Sequence, residues 1–87
     1  MRVDLFLKLM GMTKTRMAAK RLCEQSAVCL GTQPLKPSHE LKGGEEIKIL
    51  LPRREILLRV TALPGTKGVS KTDRPKFVEI ISVVEMT

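Results

Sequence analysis

The sequence predicts an α+β fold, in which two short N-terminal helices pack on a small, mainly antiparallel β-sheet. Apolar residues recur at helical spacing over the first 25 residues. The pattern then changes to short β-rich runs separated by glycine and proline. A chain of 87 residues allows one domain, and 43% hydrophobic residues suffice for a small independent core.

The first helix is predicted from four apolar residues at the i, i+3, i+4 and i+7 positions of one helical face: Val3, Phe6, Leu7 and Met10. Asp4 precedes Lys8 by four residues, in the order that stabilises a helix. We expect this helix to end near Gly11, because glycine is favoured just after a helix.

The second helix is predicted over residues 14–25, with Thr13 as its N-cap. At about 100° per residue its side chains separate into two arcs. The arc expected to pack holds Thr15, Ala18, Ala19, Leu22 and Cys23. The opposite arc holds Glu24 and four cations that we call the basic ridge: Lys14, Arg16, Lys20 and Arg21.

Strands are predicted at residues 28–30, 34–36, 47–51, 55–63 and 77–84. Between the last two lies a loop, residues 64–76, with Asp73 as its single acid. Its four cations form what we call the basic arm: Lys67, Lys71, Arg74 and Lys76. We expect this arm to be mobile and to become ordered on RNA.

Charge predicts an anionic partner. Sixteen Lys and Arg against nine Asp and Glu give a net charge of +7 and a pI near 9.9, which favours nucleic acid first and an acidic membrane surface second. Aromatic residues make up 2% of the chain, too few for a platform on which single-stranded bases stack. RNA, if bound, is expected to be recognised through its phosphates and shape.

Catalytic and metal-binding patterns are missing from the sequence. Cys23 and Cys29 form no CxxC pair, and His39 stands apart from any cluster of acids or cysteines. No glycine-rich phosphate loop or activated nucleophile is present, which indicates a non-enzymatic binding module without cofactor, metal or small-molecule substrate. Charged residues interrupt the apolar N-terminus, so we predict no signal peptide or membrane span and a cytoplasmic location.

The basic ridge can be a solvated face or a phosphate-binding surface. Lys14 and Arg16, predicted in the first helical turn, oppose the helix dipole, whereas an anion at a helix start is favourable. This favours phosphate binding. Arg2 can pair with Asp4, contact RNA, or do both, and Ser38 is either a turn residue or a phosphate donor.

The order of several short motifs resembles the RNA-binding domain named after ribosomal protein S4, over roughly residues 1–50. The motifs are Arg2-Val3-Asp4, Phe6-Leu7, Lys14-Thr15-Arg16, Ala18 or Ala19, the strand at Val28, Lys36-Pro37-Ser38, and Gly44-Glu45 before Ile47. Residues 51–87 are then expected to be a β-hairpin extension of the same domain. The chain departs from the family pattern at Leu5, Ser26-Ala27 and Gly31-Thr32.

The resemblance implies the α-L RNA-binding motif and a small free-standing member, similar to the RqcP group of ribosome quality control or to the heat-shock-protein-fifteen group. It implies partners on the large ribosomal subunit: its rRNA, a peptidyl-tRNA and, in the RqcP case, RqcH, which the protein would help to add a carboxy-terminal alanine tail to the stalled chain. By position it implies RNA contacts by Arg2, Lys14, Arg16 and Lys36, with Asp4 as their organiser. With the cations named above, the predicted RNA-binding set is Arg2, Lys8, Lys14, Arg16, Lys20, Arg21, Lys36 and Ser38, beside the basic arm.

The alternatives to an RqcP-like function belong to different classes of protein. The alternative most similar to it is a heat-shock-type ribosome recycling factor. A helix-turn-helix DNA binder would have to read bases, yet Glu24 and Gln25 come only at the far end of the second helix. An accessory subunit of an RNA-modifying enzyme would need a partner that supplies catalysis, and an amphipathic membrane binder would be expected to contain Trp, which is absent here.

Overall fold

The computed structural model describes residues 1–65 and 68–85, so Lys67 of the basic arm lies outside the described residues. Within that part, the elements in chain order are α1 (Val3–Leu9), α2 (Arg16–Glu24), β1 (Val28–Leu30), β2 (Gln33–Pro34), β3 (Glu46–Leu51), β4 (Arg54–Val60), a 3₁₀ helix (Arg74–Lys76) and β5 (Val78–Glu85). The strands pair antiparallel in the order β2-β1-β3-β4-β5. The predicted α+β class is confirmed, and β4 and β5 belong to the same sheet as β1, β2 and β3.

The second helix begins later than the sequence predicts. Thr15, not Thr13, is its N-cap: the Thr15 hydroxyl accepts a hydrogen bond from the Ala18 N–H at 3.0 Å. Thr13 donates its own hydroxyl to the Thr15 carbonyl at 2.9 Å and so belongs to the preceding turn. Lys14 therefore lies before α2 rather than in its first turn, and Arg16 is the first helical residue.

The end of α2 is a Schellman motif built on Ser26. The Ser26 N–H donates to the Cys23 carbonyl at 3.0 Å and the Ala27 N–H to the Leu22 carbonyl at 2.9 Å. Ser26 has φ +59°, a left-handed conformation that glycine adopts more readily. Ser26 is one of the positions at which the sequence departs from the family pattern. The left-handed turn still forms there, but with a residue whose backbone is strained.

The core joins the apolar faces of both helices to one face of the sheet. Alternation on β3 buries Ile47 and Ile49, and α1 contributes Phe6 and Leu7. On α2, Ala19 and Cys23 are buried while Arg16, Lys20 and Arg21 are exposed, as the two arcs predict. Thr15 is the exception in the packed arc, since it is the exposed cap.

The strand predictions are confirmed in number and order within the described residues, with shifts at their ends. The fourth strand ends at Val60 instead of residue 63, because the N–H groups of Thr61 and Ala62 both turn to the Phe77 carbonyl, at 2.9 and 3.5 Å. The strand predicted at 34–36 is Gln33–Pro34. The edge strand β5 leaves apolar side chains exposed, among them Ile80 and Val84.

The second half of the loop that carries the basic arm forms a hydrogen-bonded turn, and the mobility of the arm and its ordering on RNA stay predictions. The N–H groups of Asp73 and Arg74 both donate to the Ser70 carbonyl, at 3.0 and 3.2 Å, and a 3₁₀ turn follows. Asp73 accepts the Ser70 hydroxyl at 3.0 Å and pairs with Lys76 at 3.1 Å. The hydrogen bonds from Lys76 and Ser70 lower the pKa of the Asp73 carboxyl. The one acid of the loop thus stabilises a local turn.

The described residues contain neither a membrane-spanning helix nor a cluster of metal-ligating side chains. None of the helices there is long and apolar enough to cross a membrane. Over the same residues, no three His, Cys, Asp or Glu side chains come together in a way that could hold a metal ion.

Candidate nucleic-acid interface

Asp4 is a buried carboxylate held by two arginines. Its side chain is 3% exposed, while those of Arg2 and Arg16 are 43% and 48% exposed. Arg2 donates from Nε to Oδ1 at 3.2 Å and from Nη2 to Oδ2 at 3.1 Å. The Arg16 Nε lies 3.5 Å from Oδ1, which also accepts the Leu5 N–H at 2.8 Å. The carboxylate therefore fixes both guanidiniums at one place.

Both arginines keep N–H groups that are not used in pairing with Asp4. A guanidinium carries five N–H groups, and Arg2 uses two of them on Asp4. The remaining donors of Arg2 have no hydrogen-bond acceptor among the described residues. Two positive charges face one negative charge, so the group keeps a net charge of +1 and free hydrogen-bonding capacity for an anion.

Arg2 reaches this position because the chain ahead of β3 runs beside the N-terminus. The Val3 N–H donates to the His39 carbonyl at 2.9 Å and the Leu41 N–H to the Met1 carbonyl at 2.8 Å. The N-terminal ammonium donates to the Glu40 carboxylate at 2.9 Å, which lowers the pKa of that carboxyl. These contacts join segments about 40 residues apart in sequence. The segment of residues 39–41 therefore fixes the position of the start of α1.

Arg2 and Arg16 line a shallow pocket together with Lys20. The pocket has a volume of about 380 Å³, and we call it the arginine pocket: Arg2, Asp4, Arg16, Met17 and Lys20. It brings together three of the predicted RNA-binding residues and the predicted organiser. Arg16 and Lys20 are there because they stand one turn apart on the exposed face of α2.

Other predicted residues lie elsewhere. Lys8 and Lys14 line a second pocket, of about 500 Å³, together with Lys71 and Arg74 of the basic arm. Lys36 and Ser38 line another, of about 410 Å³, beside Leu30, Leu35 and His39. Arg21 is exposed on α2, and Lys76 is paired with Asp73. The predicted residues thus form separate clusters rather than one continuous ridge.

Two cations of the sheet are paired with carboxylates, whereas several cations near the helices are not. On the sheet, Arg59 pairs with Glu46 and Glu79, both at 3.0 Å, and Lys48 lies 3.6 Å from Glu55. The two carboxylates raise the pKa of Arg59 above its ordinary value. Ion pairs of this kind are absent, within the described residues, from Lys8, Lys14, Lys20, Arg21, Lys71 and Arg74. These six cations carry uncompensated positive charge near the helices and the 3₁₀ turn, and Arg53 and Arg54, where β3 turns into β4, likewise lack an ion pair within the described residues.

Gly11 is a residue of this surface that the sequence did not reveal as such. The sequence predicts only a helix end at Gly11. In the structure, the Gly11 backbone lies against the guanidinium of Arg74, which is 63 positions later in the chain. Its left-handed φ of +73° agrees with its place after α1. Nothing in the local sequence signals the contact with Arg74.

Cys23 is a buried thiol beneath this surface. Burial, with smaller contributions from the carboxylates of Asp4 and Glu24, raises the pKa of Cys23 to about 11. The thiol therefore stays protonated at neutral pH, and thiolates, not thiols, are nucleophiles and metal ligands. This agrees with a structural cysteine.

Comparisons with known proteins show the family of the chain. The family model described as S4 domain matches residues 1–47. A protein of Helicobacter pylori strain J99 named RQC P-site tRNA stabilizing factor is 31% identical over 78 residues, covering 90% of this chain and 93% of that protein. The protein of that name in Bacillus subtilis is 29% identical over 66 residues, 76% of this chain and 77% of its own length.

A solved structure is similar over most of this chain. The structure titled as trimeric Heat Shock Protein 15 of Vibrio cholerae matches with a TM-score of 0.85 at 20% identity, covering 94% of this chain and 82% of that chain. At this identity the likeness shows the shared fold. The resemblance seen in the sequence motifs is confirmed by these comparisons.

Proposed function

Because the chain belongs to the S4 domain family, with RQC P-site tRNA stabilizing factors among its relatives, we propose that it binds structured RNA and stabilises P-site tRNA on the large ribosomal subunit during quality control of stalled chains. It acts there without catalysis, in the cytoplasm. Residues 1–50 form the RNA-binding unit and residues 51–87 extend its sheet. Large-subunit rRNA and peptidyl-tRNA are its direct partners, and RqcH acts beside it.

The convergence of Arg2 and Arg16 on the buried Asp4 carries this proposal. A guanidinium fixed by a carboxylate loses less side-chain entropy when it binds, so its free donors are ready for a phosphate oxygen. Lys20 adds a third cation to the same pocket. Such a pocket recognises the backbone of a folded RNA and does not read its bases.

Binding of this kind depends on salt. Each phosphate that a cation neutralises releases condensed counterions, so affinity falls with ionic strength. If about four to six phosphates are neutralised, affinity for large subunits should fall steeply between low and physiological salt. Little preference for one base sequence over another is expected, since 2% aromatic residues supply few stacking surfaces.

The test compares two kinds of large ribosomal subunit: subunits that carry peptidyl-tRNA and subunits stripped of tRNA. Tagged protein is sedimented with each, and the bound fraction is measured over a salt series. We expect clear retention on subunits with peptidyl-tRNA and weaker retention on empty ones. Replacement of Arg16 and Lys20 by Gln should remove the retention.

In a cell that contains RqcH, a strain whose single copy carries the same two replacements should lose alanine tailing of stalled chains. A matched strain carries Arg59→Gln, since Arg59 is bound to two acids on the sheet. Normal tailing in the Arg16 and Lys20 strain would contradict the quality-control role. Equal retention on both kinds of subunit would contradict the tRNA contact.

A further inference from the structure

The pocket at the C-terminal end of α1 is built from parts of the chain that are distant in sequence. Its volume is about 500 Å³. Lys8 lies in α1, Lys14 in the turn before α2, and the other two cations near the 3₁₀ helix. We call it the cationic basin and define it by Gly11 and four cations: Lys8, Lys14, Lys71 and Arg74. It shares no residue with the arginine pocket.

Gly11 makes room for Arg74. A Cβ atom at position 11 would lie 2.5 Å from Nη1 and 2.6 Å from Cζ of Arg74, which is closer than heavy atoms approach without bonding. Gly11 also has φ +73°, where residues with a Cβ are strained. The guanidinium is therefore seated on a bare backbone, and a larger residue would push it away.

Arg74 has unused hydrogen-bonding capacity in this position. Its Nε is buried and, among the described residues, has no hydrogen-bond acceptor. Asp73, the adjacent acid, is already engaged by Ser70 and Lys76. A buried donor without an acceptor is unfavourable, and a bound anion would satisfy it.

Charge in the basin is uncompensated as well. Within residues 1–65 and 68–85, no carboxylate lies within ion-pair distance of Lys8, Lys14, Lys71 or Arg74. Like charges gathered around one concave surface repel each other, and an anion between them offsets that repulsion. A planar guanidinium matches two oxygens of a phosphate group, while the lysines act as point charges.

We propose that the cationic basin is a second phosphate-binding site for an RNA backbone, with Arg74 as the fixed donor and Gly11 as the residue that positions it. This rests on the proposed function. Lys14 of the basin and Arg16 of the arginine pocket are two residues apart, so one polyanion can contact both sites. The basin then sets the direction in which the RNA leaves the arginine pocket.

The test uses a structured RNA hairpin as probe, with affinity measured by fluorescence anisotropy over a salt series. Gly11→Ala should displace the guanidinium. Gly31→Ala is the matched control, since Gly31 also has positive φ, +64°, but a Cβ there would meet nothing within 4 Å. We expect Gly11→Ala to weaken binding about tenfold and to reduce the salt slope by about one phosphate contact, while Gly31→Ala leaves both unchanged.

A second pair of variants keeps the backbone intact. Lys71→Gln removes a cation of the basin, and Lys48→Gln removes a lysine that is paired with Glu55 on the sheet. We expect the first to weaken binding and the second to bind like the parent protein. Thermal melting followed by circular dichroism confirms that each variant is folded before its affinity is used.

A direct readout is the NMR signal of the Arg74 Nε–H group, titrated with inorganic pyrophosphate. We expect a saturable shift in the parent protein that is lost in Gly11→Ala and kept in Gly31→Ala. Equal losses of RNA affinity in the two glycine variants would overturn the proposal, because backbone strain alone would explain them.

Failure of this proposal is distinguishable from failure of the proposed function. If Gly11→Ala and Lys71→Gln bind the hairpin normally while Arg16→Gln does not, the basin is not an RNA site and the arginine pocket stands. If Arg16→Gln binds normally and the two basin variants do not, the basin is the RNA site and the proposed role of the arginine pocket is refuted.

Discussion

Removing Arg2 and Arg16 together should destabilise the protein as well as abolish RNA binding. If these arginines are treated as surface charges, sequence reasoning predicts an almost unchanged melting temperature for the double alanine variant. The structure changes that expectation, because the Asp4 side chain is 3% exposed and receives both guanidiniums. Without them, a buried carboxylate keeps only the Leu5 N–H among the contacts described.

The magnitude follows from the geometry. Hydrogen bonds to charged groups contribute about 1.5–3 kcal/mol each, and Arg2 makes two of them to Asp4, at 3.2 and 3.1 Å. Both guanidiniums are more than 40% exposed, so solvent screening reduces their contribution. We expect a loss of about 2 kcal/mol in the free energy of unfolding, which lowers the melting temperature by about 8–16 °C in a domain of this size.

The control is a charge-matched double variant, Lys20→Ala with Arg21→Ala. Both residues are exposed on α2 and lack acidic partners within the described residues. Their removal should change stability by less than about 0.5 kcal/mol. Urea unfolding followed by circular dichroism gives both values, and sedimentation with large subunits gives binding for the same samples.

A triple variant separates stability from binding. Adding Asp4→Asn to the arginine double variant removes the buried charge, so it should recover part of the lost stability. It should not recover RNA binding, because both guanidiniums are gone. If the arginine double variant melts with the parent protein, or if Asp4→Asn destabilises it further, then Asp4 is not held by these arginines and the reasoning is wrong.

The remaining predictions concern the turn that ends α2 and the two cysteines. Ser26→Gly should raise the free energy of unfolding by about 1 kcal/mol, because glycine adopts the left-handed conformation at φ +59° without strain. Urea unfolding measures this change. A urea midpoint equal to or lower than that of the parent protein would contradict the Schellman motif. The pKa of Cys23 is raised from 9.0 to about 11, so its contribution to stability is present below about pH 9 and lost as pH rises through 11. Cys23→Ala should therefore show a shallower loss of stability between pH 9 and 11, and a thiol reagent at pH 8 should modify the half-buried Cys29 before Cys23.

The sequence by itself determined the elements and their order, because periodicity and turn residues act over a few neighbours. The apolar spacing from Val3 to Met10 produced α1, and β-branched runs bounded by glycine and proline produced the strands. The same local reasoning placed three of the four ridge cations, Arg16, Lys20 and Arg21, on the exposed face of α2. It failed between Thr13 and Thr15, since two threonines two residues apart are both able to cap a helix and only their hydrogen bonds distinguish them.

The tertiary structure decided which charges meet. Sheet order and loop closure bring residues 37–41 beside the N-terminus, and bring Arg74 onto Gly11. These contacts join positions about 40 and 60 residues apart, beyond the reach of any local pattern. Lys14, adjacent to Arg16 in the predicted ridge, lines a different pocket for the same reason. Net charge predicted an anionic partner, but the division of the cations into an arginine pocket and a cationic basin depends on packing between distant segments.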